Sequence, residues 1–357
     1  MTAIPRLQPI LFLDNSIESE QLVDIRDNLS AIVLLADSLW LGGDEGTLVE
    51  RLRRDAYGNF AAHRRFDLAS VLDLPVPGAN SEIDLEGLDV DGGYLWLIGS
   101  HSLKRKKPEK DKTAEKNRQR LAGVSGDGNR YTLARVPLNE SVEPVRQVGA
   151  LSAARLQGDR TGDLLSAALL ADKQFAPFCV IPSKDNGVDV EGLAVRGNRA
   201  FAGLRGPVLR GWAVILEMEL NESGAGLLGF ASPVRKHFLQ LEGLGVRDLA
   251  IAGSDLYILA GPSMDLDGPV CLFRWKGALD QTSEALVWGE ELEKLLEVPY
   301  GTGSNRGRDH AEGITLTAAQ GGLLSVLICY DSPAAARVHG PDKVRVDLFD
   351  LKGASPQ

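Results

Sequence analysis

The chain has 357 residues, 44% of them hydrophobic and 25% charged, with a formal net charge of −10 at pH 7. A chain of this length buries roughly three quarters of its unfolded surface, so it needs no disulfide or structural metal to hold a core. The acidity argues against a general nucleic-acid binder, and the 39 glycines and 17 prolines indicate many turns rather than disorder.

The N-terminal segment, Met1 to Asp14, has no basic start, long apolar stretch or small-residue cleavage site, so we expect no signal peptide. No run of residues approaches the ~20 apolar residues of a membrane span. Cys179, Cys271 and Cys329 are widely spaced in apolar surroundings, which is typical of buried thiols rather than of disulfides or zinc ligands. These features predict a cytoplasmic protein that does not interact with membranes.

A unit made of a short strand, a tight turn and a second strand recurs along the chain, and further strands follow it. Radial repetition of such units is the pattern of a β-propeller, so the sequence predicts an all-β fold of this kind. The repeated position near the start of each first strand is occupied by Ser30, Glu86, Glu191, Arg247 and Glu312.

The spacing of the repeats favours five blades and leaves six as the alternative. Successive repeat positions lie 56, 105, 56 and 65 residues apart, and the long interval contains two insertions. We expect a charged, mobile insertion over 103–130 and a helical insertion over 151–185. Residues 1–357 are then a single domain, in which an N-terminal strand over 6–13 pairs with the last blade and closes the ring.

Three short helices are predicted before three of the inner strands, at 67–72, 161–172 and 290–297. The second has apolar residues at helical spacing, including Leu164, Leu165, Ala168 and Leu169. Connections of this sort lie on one rim of a propeller, so we expect part of that rim to be decorated.

Polar residues are predicted to converge at one end of the central channel. In a propeller, the residues before the first strand of a blade and after the second share a rim near the axis. The candidate ligand-binding residues on this rim are Glu86, His101, Glu191, Arg205, Arg247, Arg308, Asp309, His310 and Glu312. An alternative role for the repeated glutamates is structural, with each carboxylate accepting backbone N–H bonds from the next blade while glycine lets strands approach.

The same rim contains acidic residues that suit a hard cation, because oxygen-rich sites bind calcium or magnesium. The candidate metal ligands are Asp84, Glu86, Asp189, Glu191, Asp309 and Glu312. No other cofactor is indicated. The five histidines show no ligand spacing, which argues against a multi-histidine zinc site.

The segment from Lys104 to Arg120 contains nine basic and three acidic residues. Such a charge run is typical of a solvated loop, and the alternative is a docking site for an anionic partner. It lacks the interleaved aromatic residues expected for stacking on single strands. We therefore expect no nucleic-acid partner, apart from one that this loop could bind.

Several segments together resemble a bacterial family of unknown function, the one numbered three-six-one-six. They are Glu86-Gly87-Leu88, Leu95 to Ser102, Glu191-Gly192-Leu193, Gly243 to Leu249 and His310 to Gly313. The resemblance covers about residues 29 to 350 and extends distantly to esterase-like and phytase-like propellers. It implies the fold more than an activity. Departures from the repeat at Ser30-Ala31 and Arg247-Asp248 count against a symmetric ring of metal ligands.

Two functions follow from these residues, and the sequence leaves both open. The first is a binding or scaffold protein that recognises an anionic small molecule or peptide at the channel mouth. The second is a calcium- or magnesium-assisted hydrolase of esters or phosphoesters that uses the acidic residues at the inner-strand starts. A third, a metal-free acid–base glycosidase, is disfavoured by an aromatic content of only 6%. The oligomeric state is not indicated.

Overall fold

The computed structural model describes residues 2–43, 45–78, 82–264, 266–318 and 323–351. The helices are α1 (Ser19–Asp27), α2 (Ala114–Ala122) and α3 (Leu164–Ala171). None of the helices in these ranges is long and apolar enough to cross a bilayer. The rest of the regular structure consists of β-strands and single 3-10 turns.

The strands of the first half, in chain order, are β1 (Ile10–Phe12), β2 (Leu29–Leu35), β3 (Ser38–Gly43), β4 (Leu48–Arg54), β5 (Phe60–Asp67), β6 (Leu85–Asp91), β7 (Tyr94–Gly99), β8 (Lys104–Arg105), β9 (Val124–Ser125), β10 (Leu133–Pro137), β11 (Gln147–Val148), β12 (Leu151–Ser152), β13 (Ala154–Leu156), β14 (Gly158–Asp159) and β15 (Gly162–Asp163). The strands of the second half are β16 (Asp189–Arg196), β17 (Arg199–Leu209), β18 (Trp212–Gly224), β19 (Leu227–Phe230), β20 (Arg235–Leu239), β21 (Gly245–Ala252), β22 (Asp255–Gly261), β23 (Val270–Trp275), β24 (Leu286–Val287), β25 (Leu292–Val298), β26 (His310–Ala318), β27 (Leu324–Asp331), β28 (Lys343–Arg345) and β29 (Asp347–Leu351).

These strands form antiparallel meanders arranged around an axis, which is the all-β propeller fold predicted from the sequence. Sheet 1 contains β2 to β5, and sheet 2 contains β6, β7, β10 and β13. Sheet 3 contains β16, β17, β18 and β20, sheet 4 contains β21, β22, β23 and β25, and sheet 5 contains β26, β27 and β29. In each sheet the first strand in sequence is the innermost.

The innermost strands β2, β6, β16, β21 and β26 contact one another in that order, and β26 returns to β2. Within the described residues the hydrophobic core divides into five clusters, one between each neighbouring pair of sheets. Because each sheet is covered on both faces, inner strands such as β7 are buried at every residue. The number of blades stays a prediction, and this closed order favours five over six.

The N-terminal strand lies between the first and last parts of the chain. Strand β1 pairs antiparallel with β28 and parallel with Phe60 of β5, and Leu7 forms an antiparallel bridge with Leu348 of sheet 5. These bonds occupy the outer edge of β5, which would otherwise present unpaired backbone groups to another chain.

Two of the predicted helices differ from the structure. The segment 67–72 forms only a single 3-10 turn, Leu68–Ser70, and the predicted helix over 290–297 is wrong because Leu292–Val298 is the outer strand of sheet 4. That strand has a bulge at Leu295, where the pairing with β23 shifts between Leu272 and Phe273. A bulge changes which face the following side chains occupy, so the apolar residues of this strand imitate helical spacing.

The other predicted insertions contain regular structure. The predicted helix over 161–172 corresponds to α3, which Asp163 and Ser166 cap reciprocally. In the charged segment 103–130, β8 pairs with β9, and helix α2 lies between these two strands in the sequence.

Glycine permits the close approach of the inner strands. A Cβ atom at Gly87 would lie 2.7 Å from the backbone nitrogen of Leu193, and one at Gly192 would lie 2.5 Å from Cα of Asp248. One at Gly313 would meet the side chain of Ile32 at 2.8 Å. Each of these glycines directly follows the repeated polar residue, so the repeat brings neighbouring strands together at the same level.

Aspartate carboxylates join neighbouring inner strands at two of these junctions. The Val195 N–H donates to Asp89 Oδ2 at 2.6 Å, and the Ile314 N–H donates to Asp248 Oδ2 at 2.6 Å. Burial raises the pKa of Asp89 to about 7, against the lowering effect of its backbone hydrogen bonds, and raises that of Asp248 well above its usual range. Aspartates thus perform, at these junctions, the linking role considered for the repeated glutamates.

The close approach at Gly192 predicts a large loss of stability for Gly192→Ala. The matched control is Gly211→Ala. Gly211 has a φ of +87°, close to the +84° of Gly192, but a Cβ atom added there would lie in open space. We expect the control to cost about 1–2 kcal/mol from backbone strain and Gly192→Ala to cost roughly 1–3 kcal/mol more from overpacking. Urea unfolding measures both, and equal losses would contradict the packing argument.

The raised pKa of Asp89 predicts a pH dependence of stability. The folded protein holds this proton more tightly than the unfolded chain, so the contribution is present at acidic pH and is lost as pH rises through about 7. Replacing Asp89 with Asn should flatten the fall in stability between pH 5 and 7, by a fraction of the about 1.4 kcal/mol per pH unit that one proton represents.

The control for this measurement is Asp91→Asn, because Asp91 accepts a comparable bond from the Gly197 N–H across the same junction. Urea midpoints at a series of pH values give the slope for each protein. The prediction is wrong if Asp89→Asn keeps the wild-type slope or if Asp91→Asn flattens it equally.

Candidate functional site

The repeated polar residue of every inner strand occupies a β-bulge. In β6 the partners of Leu85 and Gly87 are Gly99 and Ile98, which leaves Glu86 without a cross-strand partner. The pairings of β2, β16, β21 and β26 shift in the same way. A bulge bends the strand and redirects a side chain. The redirected residues at this level of the ring are Ser30, Glu86, Glu191, Arg247 and Glu312.

Two arginines connect three of the inner strands through a chain of ion pairs. Arg205 Nη1 lies 2.7 Å from Glu191 Oε1, and its Nη2 contacts Asp189. Arg247 Nε lies 3.0 Å from Glu191 Oε2, and its Nη2 contacts Glu312. The order is therefore Asp189, Arg205, Glu191, Arg247, Glu312, with opposite charges alternating across sheets 3, 4 and 5.

Burial shifts the pKa values of the residues in this series of ion pairs. It raises the pKa of Asp189 to about 6, although the Arg205 guanidinium acts in the opposite direction. Burial acts to lower the pKa of Arg205, but Asp189 and Glu191 together raise it above its usual value. Burial lowers the pKa of Arg247, and Glu191 opposes the effect. Both guanidiniums remain cations, because arginine titrates far above neutral pH.

Sequence reasoning missed two further arginines, each of which neutralises a predicted metal ligand. Arg130 Nη1 lies 2.5 Å from Asp84 Oδ2, and Arg337 Nε lies 3.0 Å from Asp309 Oδ1. Both arginines are buried and come from the connection between the second and third strands of a sheet. Their position before the third strand of a sheet could have identified them in the sequence. The connections differ in length, however, so these arginines do not lie at a fixed distance from the repeated position.

His101 lies apart from the ion pairs that Arg205 and Arg247 form. Its Nε2 is 2.9 Å from Asp163 Oδ2 and its Nδ1 is 2.8 Å from the Gly99 carbonyl. Both partners are acceptors, so both ring nitrogens must donate and the imidazole is protonated. Burial opposes this charge, but Asp163 raises the pKa of His101 above its usual value. His101 lines a separate cavity of about 440 Å³ with Tyr131 and Cys179.

A second cavity, of about 340 Å³, lies beside Arg205 and Arg247 at the rim of sheets 4 and 5, and we call it the mouth cavity. It brings together five of the predicted ligand-binding residues: Arg205, Arg247, Arg308, His310 and Glu312. The other charged or aromatic lining residues are Lys107, Lys184, Asp267, Tyr300 and Asp331. Glu191 contacts two arginines that line the cavity, and Asp309 contacts Arg337 instead.

The predicted ring of metal ligands is largely neutralised. Asp84, Asp189, Glu191, Asp309 and Glu312 each contact a guanidinium, and the charge of Glu86 acts on both Arg205 and Arg247. Positive partners remove the charge that calcium or magnesium would need. The described residues contain a different group, His310, Glu312 and Asp331, whose ligand atoms lie within 4.8 Å of one another.

The ion-pair chain predicts that Arg205→Met destabilises the fold strongly. The change leaves the carboxylates of Asp189 and Glu191, each 2% exposed, without their shared cation. Removing one partner of a buried pair costs about 3–5 kcal/mol. The control is Arg146→Met, whose partner Asp73 is a surface residue, and it should cost less than about 1 kcal/mol. Similar urea midpoints for the two variants would refute the argument.

Solved structures that are similar to this chain include glutaminyl cyclase of Myxococcus xanthus, with a TM-score of 0.41, 10% identity, and coverage of 98% of this chain and 100% of that chain. Xylan β-1,4-xylosidase of Bacillus halodurans has a TM-score of 0.44 and 12% identity, with coverage of 91% and 53%. The periplasmic gluconolactonase of Pseudomonas aeruginosa has a TM-score of 0.32 and 14% identity, with coverage of 92% and 69%.

These similarities concern the fold alone and carry no argument about activity. No curated protein matches the sequence. The repeated strand starts and the segment around His101 had suggested one family of unknown function. Residues 28–347 match the family described as "Protein of unknown function (DUF3616)", and the chain belongs to that family.

Proposed function

We propose that this protein binds an anionic small molecule or a short acidic peptide in the mouth cavity. The observation that carries the proposal is the convergence of cations. Of the described residues lining the cavity, five are lysines or arginines and three are carboxylates. A cavity of about 340 Å³ is at the small end of the range that binds small molecules.

The cations have two roles according to their burial. Arg205 and Arg247 are buried and fixed by carboxylates, so they present guanidinium edges at defined positions without losing side-chain entropy on binding. Lys107, Lys184 and Arg308 are exposed at the rim. Within the described parts of the chain, the Arg308 side chain has no hydrogen-bond or ion-pair partner, so a ligand anion would meet no competing carboxylate there.

The basic insertion supports a small ligand more than a nucleic acid. Arg105 Nε lies 2.7 Å from Asp185 Oδ2, and Arg120 contacts Glu109 within the insertion. These ion pairs use charges that a polyanion would otherwise contact. Lys107 of the same segment reaches the lining of the mouth cavity, so the insertion contributes to a local site.

The hydrolase that uses calcium or magnesium at the inner-strand starts has less support, because arginines occupy most of those carboxylates. A cytoplasmic location stays a prediction. The free thiols of Cys179, Cys271 and Cys329 are compatible with it.

The test measures binding of phosphate, citrate and a hexaglutamate peptide by thermal shift and calorimetry at constant ionic strength. We expect at least one to raise the melting temperature. Arg308→Ala should weaken its binding about tenfold, the effect of one lost charge-assisted hydrogen bond. The matched control Arg160→Ala removes an exposed arginine outside the cavity and should change the affinity less than twofold.

A double variant, Arg308→Ala with Lys184→Ala, should weaken binding further, and Arg160→Ala with Lys173→Ala controls for its net charge. The proposal fails if none of the three anions binds. It also fails if the cavity variants and the surface variants bind every anion equally.

A further inference from the structure

We infer that the mouth cavity binds a divalent transition-metal ion between His310, Glu312 and Asp331, and that its anionic ligand is an oxyanion that also coordinates this ion. The metal site stands on its own geometry, whereas the ligand class rests on the proposed function. This set differs from the carboxylate ring predicted from the sequence and shares only Glu312 with it.

The backbone of sheet 5 explains why these side chains meet. His310 and Asp331 are direct cross-strand partners in β26 and β27, and opposite residues of an antiparallel pair project to the same face. Glu312 follows two residues after His310 and occupies the bulge between Ala311 and Gly313. The bulge brings its carboxylate alongside the pair, so that ligand atoms of all three residues lie within 4.8 Å of one another.

The contacts of His310 are those of a metal ligand more than of a satisfied histidine. Its Nε2 lies 3.3 Å from Asp267 Oδ1 and its Nδ1 lies 3.4 Å from Asp331 Oδ2, both longer than the 2.7–3.2 Å of good N–H···O bonds. A carboxylate on the distal nitrogen is the arrangement that orients a metal-bound imidazole. Asp267 is placed to do this while Nδ1 faces the Asp331 carboxylate.

The donor set selects the class of metal. One imidazole and two carboxylates suit zinc or manganese, whereas calcium and magnesium prefer oxygen ligands alone. Glu312 contacts Arg247 through Oε1, so its Oε2 can face the ion. Three protein ligands leave coordination positions open, as in catalytic rather than structural metal sites.

The surrounding charges indicate what fills those positions. Arg247 and Arg308 line the same cavity as the three ligands, and two guanidiniums beside a divalent ion are electrostatically unfavourable without an anion between them. An oxyanion, as in a phosphate ester or a carboxylate chelator, can bridge the ion and a guanidinium. Metal and anion should therefore bind cooperatively, and each should raise the affinity of the other by the same factor.

The experiment uses untagged full-length protein stripped of metal. Calorimetry with zinc and manganese, and the electron paramagnetic resonance of bound manganese, report the ion directly. We expect one ion per chain, with His310→Gln and Asp331→Asn each weakening its binding at least tenfold. His339→Gln removes an exposed histidine elsewhere and should change the affinity less than twofold. Both ligand variants alter partly exposed side chains, and circular dichroism verifies their folding.

A second arm measures phosphate affinity with and without saturating manganese, and we expect it to rise at least fivefold with the ion. The metal site is overturned if the wild-type chain binds no stoichiometric ion, or if both ligand variants bind it as tightly as His339→Gln. Phosphate binding that survives a chelator in that case leaves the proposed anion site intact. An ion that binds with no effect on phosphate overturns the ligand class and keeps the metal site.

Discussion

The contact between neighbouring inner strands is the constraint on which the rest of this structure depends. At Gly87, Gly192 and Gly313 there is no room for a Cβ atom, because the next strand already occupies that space. The residue before each glycine occupies a bulge and takes no part in strand pairing. Tight packing and a redirected polar side chain are therefore two results of the same local backbone.

Packing polar residues so closely creates an electrostatic problem that the arginines solve. Glu191 is almost fully buried and would be strongly destabilising alone, but Arg205 and Arg247 contact its two oxygens. Asp84 and Asp309 receive their cations from connecting segments instead. These ion pairs thus stabilise the fold, and two of the arginines that form them, Arg205 and Arg247, also line the mouth cavity.

The sequence was sufficient for the features that repeat. The recurring polar residue, the glycine after it and the paired strands predicted the propeller, the ring residues and five of the residues that line the mouth cavity. It was insufficient where an effect depends on register or on a variable connection. The bulge at Leu295 made a strand look helical, and Arg130 and Arg337 lie in connections without a common spacing. Asp331 was not among the candidate residues, because its contribution to a ligand group depends on the bend of β26 at the Glu312 bulge.

The bulges also make the chemistry of the ring independent of its architecture. Because Ser30, Glu86, Glu191, Arg247 and Glu312 take no part in the cross-strand pairing, their identities can vary while the ladder stays the same. The ring thus consists of five positions on a fixed backbone frame, and each buried charge at these positions needs an opposite charge in contact with it. A chain that kept this frame but changed the ring residues would present a different arrangement of charges around the axis, so the balance of charges at these five positions is the first feature to compare among relatives.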